Sequence, residues 1–74
     1  MKNETNWSAI INEGTSYREV LTDFATGKAT KNYTLSYLAQ GELSTDLRNL
    51  VRRVGTQKAR TLARKALKRR GLLN

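Results

Sequence analysis

Cysteine, histidine and proline are all absent from this 74-residue chain, and each absence excludes something. Without cysteine there is neither a disulfide framework nor a thiolate metal site. Without histidine, the commonest general base and the commonest transition-metal ligand are missing. No apolar run approaches the roughly 18 residues of a membrane span, and the N-terminal MKNETNW lacks the basic-then-apolar layout of a signal peptide. Acids are scarce as well: the six carboxylates all lie at or before position 46. These absences lead us to expect one small soluble domain over residues 1–74, cytoplasmic, without metal or cofactor and without a place in the membrane.

What the chain has in plenty is positive charge, and it is unevenly placed. Residues 1–47 carry four cations and six acids, whereas residues 48–74 carry ten cations and no acid, which accounts for the net charge of +8. Self-repulsion at that density destabilises a compact state, so an anionic partner is the first thing to look for. Ordinary solvated faces mix the two signs, and this half does not.

The five glycines fall at 14, 27, 41, 55 and 71, at near-regular intervals. Glycine enters the left-handed conformation at no steric cost and is the preferred residue just past a helix end. The spacing predicts an all-α fold of five short helices, each closed by its own glycine. Apolar residues between them recur at helical period. The first segment offers Trp7, Ile10 and Ile11, and the second Tyr17, Val20, Leu21, Phe24 and Ala25 behind a Ser16–Glu19 capping box. Ser44 is the expected cap of the fourth helix, with Asp46 in its first turn and a stripe of Leu43, Leu47, Leu50, Val51 and Val54. Thr56 is the expected cap of the fifth, whose Ala59, Leu62, Ala63, Ala66 and Leu67 should pack against that stripe, with Leu50 and Leu62 at the centre.

The third segment, TKNYTLSYLAQG, reads two ways. Tyr33, Tyr37 and Leu38 suit a helix beginning at Thr30, while Tyr33, Leu35 and Tyr37 alternate as a short strand would. The helix is preferred because Gly41 would end it as the other glycines end theirs.

Catalytic chemistry finds little support. Glu19 and Asp23 are four apart and share a helix face, but a cap residue with a solvated neighbour explains them. Gly27-Lys28-Ala29-Thr30 lacks the earlier glycine and the preceding strand of a phosphate-binding loop. The chain is therefore read as a binding protein, not an enzyme. Trp7, Tyr17, Phe24, Tyr33 and Tyr37 are assigned to core packing, with Tyr33 and Tyr37 noted as able to stack bases beside Lys28, Lys31 and Asn32. The apolar face of 56–70 is mostly alanine, too weak for a lipid anchor.

The stretch SYLAQGELSTDLRNLVRRVG, residues 36–55, resembles part of a lambda-repressor/Cro-type helix-turn-helix domain. In it Ser36–Gln40 run into Gly41-Glu42-Leu43, followed by the leucine-rich Leu47–Gly55. The resemblance implies a supporting helix over 16–26 and a recognition helix over 30–40, with Lys28, Lys31, Asn32, Thr34 and Ser36 facing the major groove. On the strand reading, residues 32–70 resemble instead a ribbon-helix-helix repressor, which implies an obligate dimer with a ribbon over Asn32–Tyr37.

Both resemblances imply DNA binding, and the charge distribution independently favours nucleic acid, duplex DNA first. The expected function is that of a regulator or accessory factor, nucleoid-associated if it binds DNA. Its phosphate contacts are assigned to Arg48, Arg52, Arg53, Lys58, Arg60, Arg64, Lys65, Lys68 and Arg69, with Lys28, Lys31 and Asn32 beside them. Arg60, Arg64 and Lys68, about one turn apart, would meet successive phosphates. Two alternatives stay open: a protein–protein module docking its basic face on an acidic or nucleic-acid-binding partner, and an RNA-binding protein.

Overall fold

A computed structural model of the chain describes residues 5–38 and 43–73, with side chains at all of these except 43 and 44. The described residues form five helices: α1 (Trp7–Asn12), α2 (Thr15–Thr26), α3 (Lys31–Tyr37), α4 (Leu43–Val54) and α5 (Thr56–Arg69). The expected all-α domain of five short helices is what the chain forms. Residues 31–37 are helical, so the strand reading, and with it the ribbon that a ribbon-helix-helix dimer requires, is overturned. The deciding local interaction is at Thr30, whose hydroxyl accepts from the Tyr33 N–H at 3.0 Å and caps the helix at its expected start.

The other expected caps are corrected. The helical ladder of α2 begins at Gly14, whose carbonyl accepts from the Arg18 N–H, so Ser16 and Glu19 lie inside the helix without forming a capping box. Gly55 plays the same part for α5, accepting from the Ala59 N–H at 3.0 Å and leaving Thr56 as the first helical residue. α4 starts at Leu43, which puts Ser44 within its first turn. Asp46 occupies that turn as expected, and its carboxylate accepts from the Asn6 N–H at 2.7 Å, tying the start of α4 to the start of α1.

The glycines are not equivalent. Gly27 ends α2 in the left-handed conformation (φ 88°, ψ 4°), its N–H donating to the Asp23 and Phe24 carbonyls. Gly55 alone separates α4 from α5 and holds φ 90°, ψ 160°, a region essentially confined to glycine. Gly14, by contrast, is extended backbone that any residue adopts, so α1 needs no glycine to end. The expected stop at Gly41, and the turn Gly41-Glu42-Leu43, lie outside the fully described residues.

The core gathers Ile10 and Ile11 from α1, Leu21, Phe24 and Ala25 from α2, Leu35 and Leu38 from the α3 end, Leu47 and Leu50 from α4, and Ala59, Ala63 and Leu67 from α5. These are the residues that the helical periodicity selects. The arrangement differs from the expected one in how α5 sits: it packs chiefly against α2, and only secondarily against α4. Ala59, Ala63 and Ala66 are all buried, and short side chains at these positions favour close packing of α5 on the core. Leu50 is buried, but Leu62 is turned to the edge and only half-buried, a correction to its expected central place.

Candidate nucleic-acid interface

The structure sorts the twelve expected site residues into distinct groups. The first is a pair facing inward. Arg60 lies on the flank of α5 that meets the C-terminus of α2, where its Nε donates to the Phe24 carbonyl and its Nη2 to the Ala29 carbonyl, both at 2.9 Å. Its guanidinium also stands 5.1 Å from the Phe24 ring centroid. One turn on, Arg64 donates from Nη1 to the Ala25 carbonyl at 2.8 Å and from Nη2 to the Thr61 hydroxyl at 3.1 Å.

These contacts have a simple electrostatic cause. The last carbonyls of a helix lack intrahelical partners and carry the negative end of its dipole. α2 has no cation in its own last turn, so two arginines of α5 supply the donors. The expected row of Arg60, Arg64 and Lys68 is thereby broken: the first two are partly buried on α2, whereas Lys68 is exposed. Arg70, which is not among the expected site residues, acts similarly, donating to the Ala66 carbonyl and to the Ser8 hydroxyl and pinning the end of α5 to α1.

The second group lines a groove of about 530 Å³ between α3 and α4. Lys31, Asn32, Leu35 and Ser36 form one wall and Arg48, Val51 and Arg52 the other. The helical period explains the pairing. Positions 31, 32, 35 and 36 fall on one side of α3, and 48, 51 and 52 on one side of α4. Leu35 and Val51 anchor the walls to the core while the polar residues stand at the mouth. No carboxylate lines the groove among the described residues. Four expected site residues meet here, although they come from segments more than ten positions apart in sequence: Lys31, Asn32, Arg48 and Arg52.

The exposed side of α3 next to this groove carries Asn32, Tyr33 and Ser36. Tyr33 is 56% exposed, the most open large apolar side chain of the described residues. It leans on Tyr37 with ring centroids 6.2 Å apart, and Tyr37 in turn meets Tyr17 edge-on at 5.8 Å. Core packing is therefore the role of Phe24 fully and of Trp7, Tyr17 and Tyr37 in part, but not of Tyr33. Thr34, expected in the major groove, is fully buried, with its hydroxyl satisfied by the Thr30 carbonyl at 2.9 Å.

The remaining cations stand elsewhere. Lys28 is exposed in the α2–α3 turn, and Lys58, Lys65, Lys68 and Arg69 are exposed on α5. Arg53 projects from the flank of α4 that faces α5, and with Lys65 and Arg69 it borders a second, smaller recess. No cluster of three or more acidic side chains able to hold a metal ion forms among the described residues. No helix among them is long and apolar enough to cross a membrane. No protein-family model, curated protein or solved structure matches this chain.

Proposed function

We propose that this chain is a small helical nucleic-acid-binding protein that seats a phosphate backbone of duplex DNA in the α3–α4 groove, acting as a regulator or accessory factor. The observation that carries the reading is the convergence of Lys31, Asn32 and Ser36 on Arg48 and Arg52 across one groove that no described carboxylate lines. Arginine forks match phosphate oxygens bidentately, and asparagine and serine add neutral donors without charge repulsion.

The scale is suitable. A seven-residue helix such as α3 is about 10 Å long, and a helix is about as wide as the roughly 12 Å major groove of B-DNA. With one backbone strand in the α3–α4 groove, the exposed edge of α3 lies beside the bases. Asn32 and Ser36 then have base-edge hydrogen bonds within reach, and Tyr33 offers apolar contact. α3 follows α2 after the turn 27–30, and on the helix-turn-helix resemblance α3 is the reading helix. α5 contributes its outward lysines to the positive field, while Arg60 and Arg64 serve the fold.

The test is a binding isotherm on duplex DNA at several salt concentrations, with structured RNA and single-stranded DNA as comparators. Arg48→Gln with Arg52→Gln should flatten the slope of log affinity against log salt by about 0.9 for each phosphate that the variant no longer neutralises on duplex DNA. Tighter binding to A-form RNA would transfer the groove to the RNA alternative, because that duplex has a major groove too narrow for α3. An unchanged slope in the folded double variant would remove the groove from the interface.

A further inference from the structure

The recess bordered by α1, α4 and α5 differs in kind from the α3–α4 groove. Its walls are mostly apolar, formed by Trp7 at the start of α1, Leu50 of α4, and Leu62 and Ala66 of α5, with Thr5 as the one uncharged polar residue beside them. Its rim carries the exposed cations Lys65 and Arg69 beside Arg53, and no carboxylate lines it among the described residues. Lys65 and Arg69 are exposed, one turn apart on the same side of α5, so their charge fronts the recess. At about 260 Å³ it is smaller than the roughly 300–1,000 Å³ of small-molecule sites, and suits an inserted side chain better than an enclosed cofactor.

We infer that this recess is a docking site for an acidic peptide segment of a partner protein, with one large apolar side chain of that segment inserted between Trp7, Leu62 and Ala66. Charge and polarity together select this occupant. The cationic rim favours carboxylates flanking the anchor, and positive surface meeting negative surface steers the encounter. The aliphatic floor then discriminates against the other polyanion, nucleic acid. A base inserted there would set its several polar edge atoms against Leu50, Leu62 and Ala66, with only the Thr5 hydroxyl and the Trp7 indole N–H as uncharged partners, so most of those atoms would lose their hydrogen bonds to water. A phenylalanine or leucine has no such edges to satisfy. Trp7 supplies a large, half-buried aromatic surface of the kind that dominates binding energy at protein interfaces.

The site also lies on the other flank of α4 from Arg48 and Arg52, so it is separate from the groove assigned to nucleic acid and does not depend on that assignment.

Trp7 is the single tryptophan of the chain, so its fluorescence reports on this recess directly. The experiment titrates the full chain with the synthetic peptide EDEFDELLDE, which contains no tryptophan or tyrosine, at low and moderate salt. We expect a saturable blue shift of Trp7 emission, weaker at higher salt because the rim charges are exposed. The peptide EDESDESSDE, which keeps the charge and has no apolar anchor, should bind at least about tenfold more weakly. Lys65→Glu with Arg69→Glu, at two exposed positions where folding is not at stake, should weaken EDEFDELLDE by about tenfold or more. At the moderate salt, where exposed charges more than about 10 Å apart are screened, Arg48→Gln with Arg52→Gln should change the affinity by less than about twofold. Equal binding of the two peptides would reduce the site to diffuse charge attraction and overturn the inference. So would the absence of a saturable shift, or a shift of Trp7 produced at lower concentration by single-stranded oligothymidylate than by EDEFDELLDE.

Discussion

Two pairs of arginines, Arg48 with Arg52 and Arg60 with Arg64, are each spaced one helical turn apart on neighbouring helices, yet their surroundings are opposite. Arg48 and Arg52 are exposed at the mouth of a groove, facing Lys31 and Asn32 across it. Arg60 and Arg64 are partly buried, their guanidinium groups spent on the Phe24 and Ala25 carbonyls at the end of α2 and the Ala29 carbonyl in the turn after it. The difference comes from what each flank faces. α5 lies on α2, whose C-terminal turn offers carbonyl oxygens with accepting capacity to spare and the negative pole of a dipole. α4 faces α3 across the groove, and among the described residues no backbone carbonyl there accepts from Arg48 or Arg52. Positive charge in a sequence thus marks two unlike jobs, holding a helix end and presenting an open cationic surface.

The comparison can be broken most forcefully from the inward side. Replacing Arg60 and Arg64 by methionine keeps an apolar stem but removes the donors to three carbonyls. Each substitution should cost about 1–3 kcal/mol, measured by chemical denaturation, while the salt slope of duplex binding in the folded fraction stays as in the parent. If stability holds and the slope falls, Arg60 and Arg64 belong to the interface and the distinction between the pairs collapses.

Gly55 tests the joint between the two regions, because it alone sets the angle at which α5 leaves α4. A β-carbon there would meet no atom within 4 Å, so Gly55→Val probes backbone conformation alone. The expected loss is about 1–3 kcal/mol of stability, with Gly14→Val, at an extended and unstrained position, as the control that should change much less. Equal effects at the two glycines would contradict the assigned conformations.

A smaller effect is expected at the helix starts. Thr30→Ala removes the hydroxyl that caps α3 and should cost about 1 kcal/mol, whereas Ser16→Ala should change stability by less than about 0.5 kcal/mol, since Ser16 does not cap α2. The smallest expected stability effect is that of Arg48→Gln with Arg52→Gln, whose melting temperature should match the parent while the salt dependence of binding changes. A drop in melting temperature would show that the outward pair also serves the fold.

Much of this architecture is readable from residue order. Apolar residues at helical spacing name nearly the whole core, because burial of one stripe per helix is a local periodic property that the chain states outright. Thr30 and Gly27 are legible for the same reason, since a cap or a left-handed stop involves only the next few residues. Thr34 shows the limit. Its polarity suggests an exposed reading position, but its hydroxyl is satisfied by the Thr30 carbonyl within its own helix, so it packs in the core. Ser16 and Thr56 show another: a capping residue one or two positions from a glycine loses the role when the glycine carbonyl begins the helical ladder first.

The candidate site is legible in the sequence as a set of residues and not as an arrangement. Lys31, Asn32, Arg48 and Arg52 are marked by residue type and charge, and nothing in their spacing says that α3 and α4 would place them on opposite walls of one groove. The one faint signal for the fate of Arg60 and Arg64 is that α2 ends without a cation of its own.

By itself the sequence determined the helical class, the position of each helix to within a few residues, the apolar face that each helix buries, and the gathering of ten cations after residue 47. Only the tertiary structure decided that α5 rests mainly on α2, that two of its arginines close that helix, and that some of the outward cations gather at a polar groove and others at a mostly apolar recess. The physical reason is range. Periodicity, caps and glycine conformations act over a turn of chain, whereas the partner of a long charged side chain depends on which helix end the packing of small residues brings within its reach.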